Sequence, residues 1–478
     1  MALGLTLTAC GGRRADDQPV AVSVIGGPAG TPDPTRAALT PAGRMLLAST
    51  AQGLVRFDAI GGIEPGLAER WIVIDDGSSI IFRLREAEWP DGETVTAEQV
   101  VPMLRRAVAA RANPLAPYLT AIDEIVAMTP QVIEVRLSHP RPDILKLFAQ
   151  PEMAILAPGG RAGSGPFRIQ PDPKPGILLR PGFDPLRDPE AEAEEPSPEQ
   201  FMRMRGERAA VAIARFAAKR SDLVDGGSFV DWPLLDQVKI APSDLRIDAA
   251  TGLFGFAVTH RTGFLADPLN RGAVAMAIDR DAVTAMFRKG WATTETILPD
   301  TLDSNAPPST APWSAVPANA RVATAQARVA QYQQAHGGPI TLRIAMPEGP
   351  GATLLYSIVG AGLRTIGIEP QRVAIDASAD LRLIDAVAPY DSARWYLRSA
   401  CQPCGSAAAT MIEAARDAAT LQTRAAHLAD ADAALAADVA FIPIAQPLRW
   451  SLVTPRLRGW TANPRAFHPL NHVRGDPN

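Results

Sequence analysis

Two aspartates and two cysteines in one short segment have the residue types and spacing that could do chemistry. The segment IDAVAPYDSARWYLRSACQPC contains Asp385 and Asp391, which could bind an amino group, and ends in Cys401-x-x-Cys404. Such a cysteine pair could form a disulfide, a redox centre or half of a metal site. Redox catalysis needs the pair at a helix N-terminus, where the helix dipole lowers the thiol pKa. Here the pair follows the predicted helix SARWYLRSA, so the aspartate-containing half is the better candidate for function.

Two other motifs that resemble enzyme signatures do not fit their patterns. GGRAGSG lacks the Lys and Ser/Thr of a phosphate-binding P-loop, and the spacing around Ser164 is not that of a nucleophile elbow. The six histidines are scattered without metal-ligand spacing, and Pro469 between His468 and His472 predicts a loop there. We therefore predict no catalytic residue, no metal site and no cofactor.

Composition excludes two further classes of function. The net charge of −4 comes from interspersed acidic and basic residues, so no face would attract nucleic acid. No window reaches the roughly 18 consecutive apolar residues of a membrane span. At 478 residues, the chain is long enough for about three domains.

The N-terminal sequence LTAC resembles a bacterial lipoprotein signal, in which Cys10 becomes the lipidated first residue. Residues 1–9 would then be a signal remnant and residues 10–18 a flexible linker. No positively charged stretch precedes the short apolar run, which suggests that the assigned start codon lies too far downstream. Because thiols of exported proteins tend to pair, we expect a disulfide between Cys401 and Cys404 with modest stabilisation, since the loop is short.

The periodicity of the chain indicates an α/β protein. Asp76-Gly77 predicts a hairpin turn between strands in which Ile72, Ile74, Ile80, Phe82 and Leu84 alternate. Thr96 and Gln99 have capping-box spacing at a helix start. ITLRIAM, GATLLYSIVGAGLRTIG and IEPQRVAID predict a strand, a helix and a parallel strand. A later helix carries Leu421, Leu428 and Leu435 on one face. Pro171 to Ser197 is predicted to be a surface loop or an eroded part of the domain, with a solvated acidic run.

Eight stretches, in order along the chain, carry a resemblance to a known family. They are GLVRFD, PGLAERW, DGSSIIFRLR, WPDGETVTAEQVV, GSGPFRI, NRGAVAMAIDRDAV, LRTIGIEPQRV and AFIPI. The chain resembles extracellular solute-binding proteins of family 5, the peptide- and nickel-binding class of ABC importers. This resemblance implies a two-lobed periplasmic-binding-protein fold, type II and similar to cluster C, with an extra domain and two hinge strands.

The resemblance also implies the domain organisation. Domain I would combine 19–47, 161–250 and 450–478, and domain II, 48–160, would extend the same lobe. Domain III, 254–444, would form the other lobe. The hinge segments would lie near Gly252 to Phe256 and near Phe441 to Leu448.

In oligopeptide-binding members of the family, a strand and turn in domain III line the cleft. Laid on this pattern, the aspartate that holds the peptide amino group falls on Pro389, and the usual tryptophan falls on Ala386. Either Asp385 or Asp391 supplies the carboxylate from a shifted position, or the ligand has no free amino group. Proline favours the second alternative, because it is neither an acid nor a backbone donor. A further alternative is that Asp391 only caps the following helix. The candidate ligand-binding residues are Ser23, Ile25, Gly26, Asp385, Ala386, Val387, Ala388, Pro389, Tyr390 and Asp391.

The function implied is a non-enzymatic binding lipoprotein, which closes its lobes on a peptide or similar small solute and presents it to an ABC permease. We expect a monomer in the periplasmic part of the cell envelope that contacts the membrane through its lipid anchor only. Two alternatives remain open. One is a member that binds a metal or metallophore through Cys401, Cys404 and histidines, and the other is an envelope interaction protein that has lost ligand binding.

Overall fold

The computed structural model describes residues 17–30, 33–141, 143–157, 163–182 and 195–475. Cys10 and most of the acidic run after Pro181 lie outside the described residues, so the predictions for them are not addressed by the fold. Within these ranges, no helix combines the length and the apolar character that crossing a bilayer requires.

A seven-stranded sheet forms the first layer of the molecule. β1 is parallel to both of its neighbours, and the other pairs are antiparallel. In order across the sheet, the strands are β12 (Leu245–Ile247), β18 (Arg449–Val453), β11 (Leu223–Ser228), β1 (Val20–Ile25), β10 (Met202–Glu207), β9 (Ile177–Pro181) and β8 (Phe167–Gln170).

Helices cover both faces of this sheet because side chains alternate along its central strands. Val22 and Val24 pack with α1 (Pro41–Thr50), whereas Ile25 packs with α4 (Ala209–Ala217). The loop prediction for Pro171 to Ser197 is wrong over β9, which pairs with β8 and β10 and buries Leu178 and Leu179.

A four-stranded antiparallel sheet confirms the predicted hairpin. Ile80, Phe82 and Leu84 are buried as expected, but Ile72 is 56 % exposed, because it lies on the outer face of an edge strand. The helix that packs on this sheet begins with the predicted capping box of Thr96 and Gln99. The strands are, in sheet order, β4 (Ala68–Ile74), β5 (Ser79–Leu84), β7 (Val132–Leu137) and β6 (Ile122–Thr129); the neighbouring elements are α2 (Ala97–Ala109), α3 (Ile144–Phe148) and the pair β2 (Val55–Phe57) and β3 (Ile63–Pro65).

A five-stranded mixed sheet forms the third layer and contains the predicted strand–helix–strand unit. Its strands are, in sheet order, β15 (Ile368–Ala374), β14 (Ile340–Met346), β16 (Leu381–Val387), β13 (Gly252–Val258) and β17 (Phe441–Ala445). β14 and β15 are parallel, as predicted, and α8 (Pro350–Thr365) connects them. Gly367 adopts a φ of 86° just after this helix, a conformation that glycine adopts without strain.

Six further helices pack around the five-stranded sheet. On the last of them, Leu428 and Leu435 are buried as predicted, but Leu421 is 45 % exposed because it is the first residue of the helix. The helices are α5 (Pro268–Met276), α6 (Arg280–Phe287), α7 (Ala318–His336), α9 (Ala393–Ala400), α10 (Ser406–Asp417) and α11 (Leu421–Asp438).

The chain passes between the seven-stranded and five-stranded sheets at two places. One passage connects β12 to β13, and the other connects β17 to β18 through three residues. The three larger sheets fall in the ranges expected for the three domains, with three exceptions at the boundaries. β18 begins one residue before its range, β17 ends one residue after its range, and β13 begins in the expected hinge. The domain boundaries themselves stay a prediction.

The four-stranded part and the five-stranded part share one apolar core. Leu147 and Phe148 belong to the same cluster of buried side chains as Tyr390, Trp395 and other residues of α9 to α11. The two parts are therefore in close contact.

Candidate functional site

Two neighbouring regions lie where the lobes meet. The first is the segment Asp385 to Asp391, which we call the ligand loop, because the family resemblance places ligand binding there. The second is a cavity, which we call the arginine cavity and define by its lining residues below. Tyr390 belongs to both regions.

The first half of the ligand loop is held in the sheet. β16 pairs residue by residue with β13, and beyond it the backbone N–H of Ala388 donates to the carbonyl of Thr251 (2.8 Å). Asp385 accepts hydrogen bonds from Nη1 of Arg449 on β18 at 2.8 and 3.0 Å. Burial raises the pKa of Asp385, and the ion pair opposes that shift. The carboxylate of Asp385 is thus engaged by the opposite lobe.

The second carboxylate of the loop is also neutralised. Asp391 forms ion pairs with Lys146 and Arg465. Burial alone would raise the pKa of Asp391, but these two cations outweigh it and lower the pKa. The alternative that Asp391 caps α9 is wrong. The backbone N–H of Ala393 donates instead to Asp303, at 2.6 Å.

Side chains of the other lobe occupy backbone acceptors of the loop. Nε2 of Gln150 donates to the carbonyl of Pro389 (2.6 Å), and Nη1 of Arg465 donates to the carbonyl of Ala388 (2.7 Å). In the closed arrangement these carbonyls hold the lobes together. An extended peptide would have to displace Gln150 and Arg465 to pair with them.

Of the three candidate residues at the first strand, Ser23 and Ile25 lie inside the protein, whereas Gly26 follows the strand and is exposed. Ser23 is fully buried and donates to Glu207 (2.9 Å), and Ile25 is 7 % exposed in the core. Gly26 adopts a φ of 116°, and a Cβ there would lie 2.6 Å from Cγ of Pro41. Glycine is therefore required at this turn, and ligand contact by these three residues stays a prediction.

The arginine cavity lies beside the ligand loop and has a volume of about 270 Å³. Both lobes contribute to its wall. One side consists of Tyr118, Thr120, Ala121, Arg141, Asp143, Ile144 and Leu147, from the part with the four-stranded sheet, and the other consists of Asp303, Ser304, Tyr390, Ser392, Arg394, Arg416, Leu421, Arg424 and Ala425, from the part with the five-stranded sheet. Of the candidate ligand-binding residues, Tyr390 is the one in this wall.

Positive charge is concentrated in the cavity wall. Arg424 pairs with Asp303 (2.9 Å), but Arg141 hydrogen-bonds to the backbone carbonyls of Pro140, Arg416 and Ala418. Burial, together with the nearby guanidinium groups of Arg424 and Arg394, lowers the pKa of Arg141 to about 10, although the charge of Asp303 opposes the shift. The wall therefore holds cations that repel one another in a partly desolvated space.

Aspartate and tyrosine side chains complete the polar part of the wall. Burial, helped by the negative charge of Asp303, raises the pKa of Asp143 to about 6. The rings of Tyr118 and Tyr390 meet edge to face across the lobe interface, with centroids 5.7 Å apart. Burial raises the pKa of both hydroxyls, so the two tyrosines remain neutral hydrogen-bonding groups at physiological pH.

Sequence analysis missed most of this cavity, because its arginines come from separate elements and form no motif. One signal was available. Arg394 lies on a predicted helix that directly follows the ligand loop, and with Arg398 it places two cations on one short helix. That pattern alone does not reveal Arg141, which is more than 250 residues away in sequence and meets Arg394 through tertiary packing.

The other candidate groups have structural partners. Cys401 and Cys404 are bonded to each other at the end of α9. His468 lies between Asp225 (2.9 Å) and Asp248 (3.1 Å). In the part of the chain that the structure describes, no three His, Cys, Asp or Glu side chains are grouped so that they could hold a metal.

Comparison with known proteins identifies the family. Residues 62–395 match the family described as bacterial extracellular solute-binding proteins, family 5 Middle, over more than half of the chain. The chain belongs to this family, as the sequence resemblance predicted, and its relatives are binding proteins and not enzymes.

One curated relative and two solved structures illustrate the similarity. The probable deoxycholate-binding periplasmic protein YgiS of Escherichia coli is 40 % identical over 92 residues, which cover 19 % of this chain and 17 % of that protein. The murein tripeptide binding protein MppA of E. coli superposes with a TM-score of 0.79 at 19 % identity, covering 96 % of this chain and 98 % of that chain.

A second structure, OppA of Haemophilus influenzae in complex with RPPGFSPFR, gives a TM-score of 0.75 at 17 % identity, covering 95 % of this chain and 99 % of that chain. These likenesses confirm the two-lobed fold. Since the sequence alignment to YgiS spans less than a fifth of that protein, the ligand does not follow from it.

Proposed function

We propose that this protein is the binding component of an ABC importer, which captures a small solute between its lobes and presents the closed form to a permease. The observation that carries the proposal is the arginine cavity, whose wall is built by both lobes, while two chain passages connect the seven-stranded sheet of one lobe to the five-stranded sheet of the other. A ligand that contacts both walls favours the closed form by its differential affinity, so closure can signal occupancy without chemistry.

The ligand is a small solute rather than an extended peptide. Pro389 stands where oligopeptide-binding members carry the amino-binding aspartate. Asp385 and Asp391 are both paired with cations, and the carbonyls of Ala388 and Pro389 accept from side chains of the opposite lobe. These contacts support the alternative in which the ligand has no free amino group at the loop. A volume near 270 Å³ is just below the range of about 300–1,000 Å³ that is typical of ligand pockets, which favours a small ligand.

The test is native mass spectrometry of the purified protein, followed by small-angle X-ray scattering. We expect a co-purified small molecule that is lost after partial unfolding and dialysis, and a larger radius of gyration for the stripped protein than for the reloaded one. An identical radius with and without ligand would contradict capture by closure. Reaction of the ligand during incubation would contradict a binding protein as well.

Lipid anchoring through Cys10 belongs to the same proposal. The supporting observation is the LTAC sequence in a member of a family of extracellular proteins. A diacylated and N-acylated cysteine would suffice for stable anchoring, where a single acyl chain gives marginal binding. Metabolic labelling with a fatty acid should mark the wild-type protein in the membrane fraction, while C10S should be unlabelled. Labelled C10S would place the anchor elsewhere.

The disulfide distinguishes solute capture from the metal-binding alternative. With Cys401 and Cys404 paired as in the structure, neither sulfur is free to bind a metal ion. Thiol titration of unfolded, unreduced C10S protein should find no free thiol, and reduction should release two. Two free thiols together with a bound metal ion would favour the metallophore alternative.

A further inference from the structure

We propose that the arginine cavity binds a small carboxylate-bearing solute, with Arg141 as the residue that holds the carboxylate. This inference rests on the proposed function and specifies the chemical class of its ligand. It concerns Arg141 and Arg394, which lie beside the ligand loop and outside the segment where the family resemblance placed recognition.

The first argument is the imbalance of charge in the wall. Four arginines and two aspartates line the cavity. Arg416 is balanced by Glu413 and Asp417, and Arg424 is balanced by Asp303. A buried cation is stable only with a counter-charge and hydrogen-bond acceptors.

Arg141 is the cation whose counter-charge is missing. Among the described residues, its guanidinium hydrogen-bonds to carbonyl oxygens and forms no ion pair with a carboxylate. Arg394, which faces the same space, donates to the carbonyl of Pro117 and lies 4.0 Å from Glu413, at the limit of an ion pair. An anionic ligand between Arg141 and Arg394 would supply what the chain does not.

The second argument concerns the two carboxylates in the wall, Asp303 and Asp143. Asp303 acts on Arg141 but already forms an ion pair with Arg424. Asp143 has a pKa raised to about 6 by burial and by Asp303, so it is a weaker counter-charge than an exposed aspartate. Lys146, which is close enough to lower that pKa, already pairs with Asp391. Among the described residues, neither carboxylate therefore gives Arg141 an ion pair of its own.

The third argument is geometric. A guanidinium presents several N–H groups in one plane, which matches the two oxygens of a carboxylate. The polar groups share the cavity with Ile144, Leu147 and Leu421, so a ligand with an apolar body and an acidic end fits both parts. Because the arginines come from both lobes, a carboxylate that bridges them would also draw the lobes together.

The experiment compares acids with amides of the same shape on the stripped full-length protein. Isothermal titration calorimetry with succinate, glutarate and benzoate at millimolar concentration should give a binding heat larger than that of a control titration with sodium chloride at the same concentration. Succinamide, glutaramide and benzamide should bind at least about tenfold more weakly, because they lack the charge-assisted hydrogen bonds.

Variants locate the effect. R141Q should lower the affinity for the best acid by about 10- to 100-fold, whereas R141K, which keeps the charge, should lose less. R168Q is the matched control, because Arg168 is a partly buried arginine bound to the carbonyls of Gly165 and Phe167, outside the cavity. It should bind like the wild type.

Three results would overturn the inference: equal binding of acids and amides, unchanged affinity in R141Q, or no binding of any acid. Circular dichroism of R141Q and R141K verifies that both variants are folded. If amides bind and close the lobes as well as acids do, solute capture stands and only the ligand class is wrong. If no solute changes the radius of gyration, the proposed function itself fails.

Discussion

The ligand loop and the arginine cavity are adjacent but differ in how their charged side chains are paired. In the loop, Asp385 and Asp391 are each matched by an arginine or lysine of the other lobe. In the cavity, Arg141 has carbonyl oxygens as partners and other guanidinium groups as neighbours. The ion pairs of the loop join the two lobes without a ligand. Arg141, which has no ion pair of its own among the described residues, is where a ligand would add a contact that stabilises the closed form.

The largest effect should come from breaking the pair of Arg449 and Asp385. R449M would leave a mostly buried carboxylate without its cation, so we expect a loss of about 3–5 kcal/mol in the free energy of unfolding, measured in urea. The double variant R449M/D385L removes both charges and should recover most of that loss. If R449M is as stable as the wild type, the loop is not held by its ion pairs.

Sequence reasoning recovered the scaffold better than the site. The hairpin around Asp76 and the strand–helix–strand unit are local patterns, since turn chemistry and periodicity fix them within about 30 residues. β9 was missed because it is only five residues long and the sequence on either side is charged and rich in proline. Its pairing with β8 and β10 is not visible in its own sequence. The partners of Asp385 and Asp391 were missed for a related reason: Arg449, Lys146 and Arg465 are 64, 245 and 74 residues away.

The second prediction concerns a fully balanced cluster far from the cavity. His468 lies between Asp225 and Asp248 and stacks on Trp460. Burial alone would lower the pKa of His468, but the two carboxylates raise it to about 9 from an ordinary value of 6.5. Since the folded-state pKa is the higher one, the stabilisation is complete below pH 6.5 and is lost as the pH rises through about 9.

The expected size of that loss is about 2–3 kcal/mol, seen as a falling free energy of unfolding between these pH values. H468Q should be less stable at low pH and should lack this slope, while H472Q, at the half-buried pair with Glu64, should keep it. The same slope in H468Q and in the wild type would show that the cluster is not held by its charge.

The third prediction separates lobe contact from folding. Lys146 and Asp391 are partly exposed, with side-chain exposures of 28 % and 38 %, so K146M should cost only about 0.5–1 kcal/mol of stability. It removes a contact made across the interface, and the ligand-free protein should therefore have a larger radius of gyration by small-angle scattering. R136M, which breaks the pairs of Arg136 with Glu124 and Glu134 inside one lobe, is the control and should leave the radius unchanged.

The smallest effect on stability is expected at Arg141, where the effect on binding should be the largest. R141Q removes a cation that the folded chain does not neutralise, so the free energy of unfolding of the ligand-free protein should stay within about 1 kcal/mol of the wild type or rise. The measurement is urea unfolding of stripped R141Q beside R168Q and R449M. A loss as large as that of R449M would mean that Arg141 is satisfied within the fold, and the contrast between the loop and the cavity would disappear. If R141Q is as stable as the wild type but no longer binds the acids, Arg141 serves ligand binding and does not stabilise the fold.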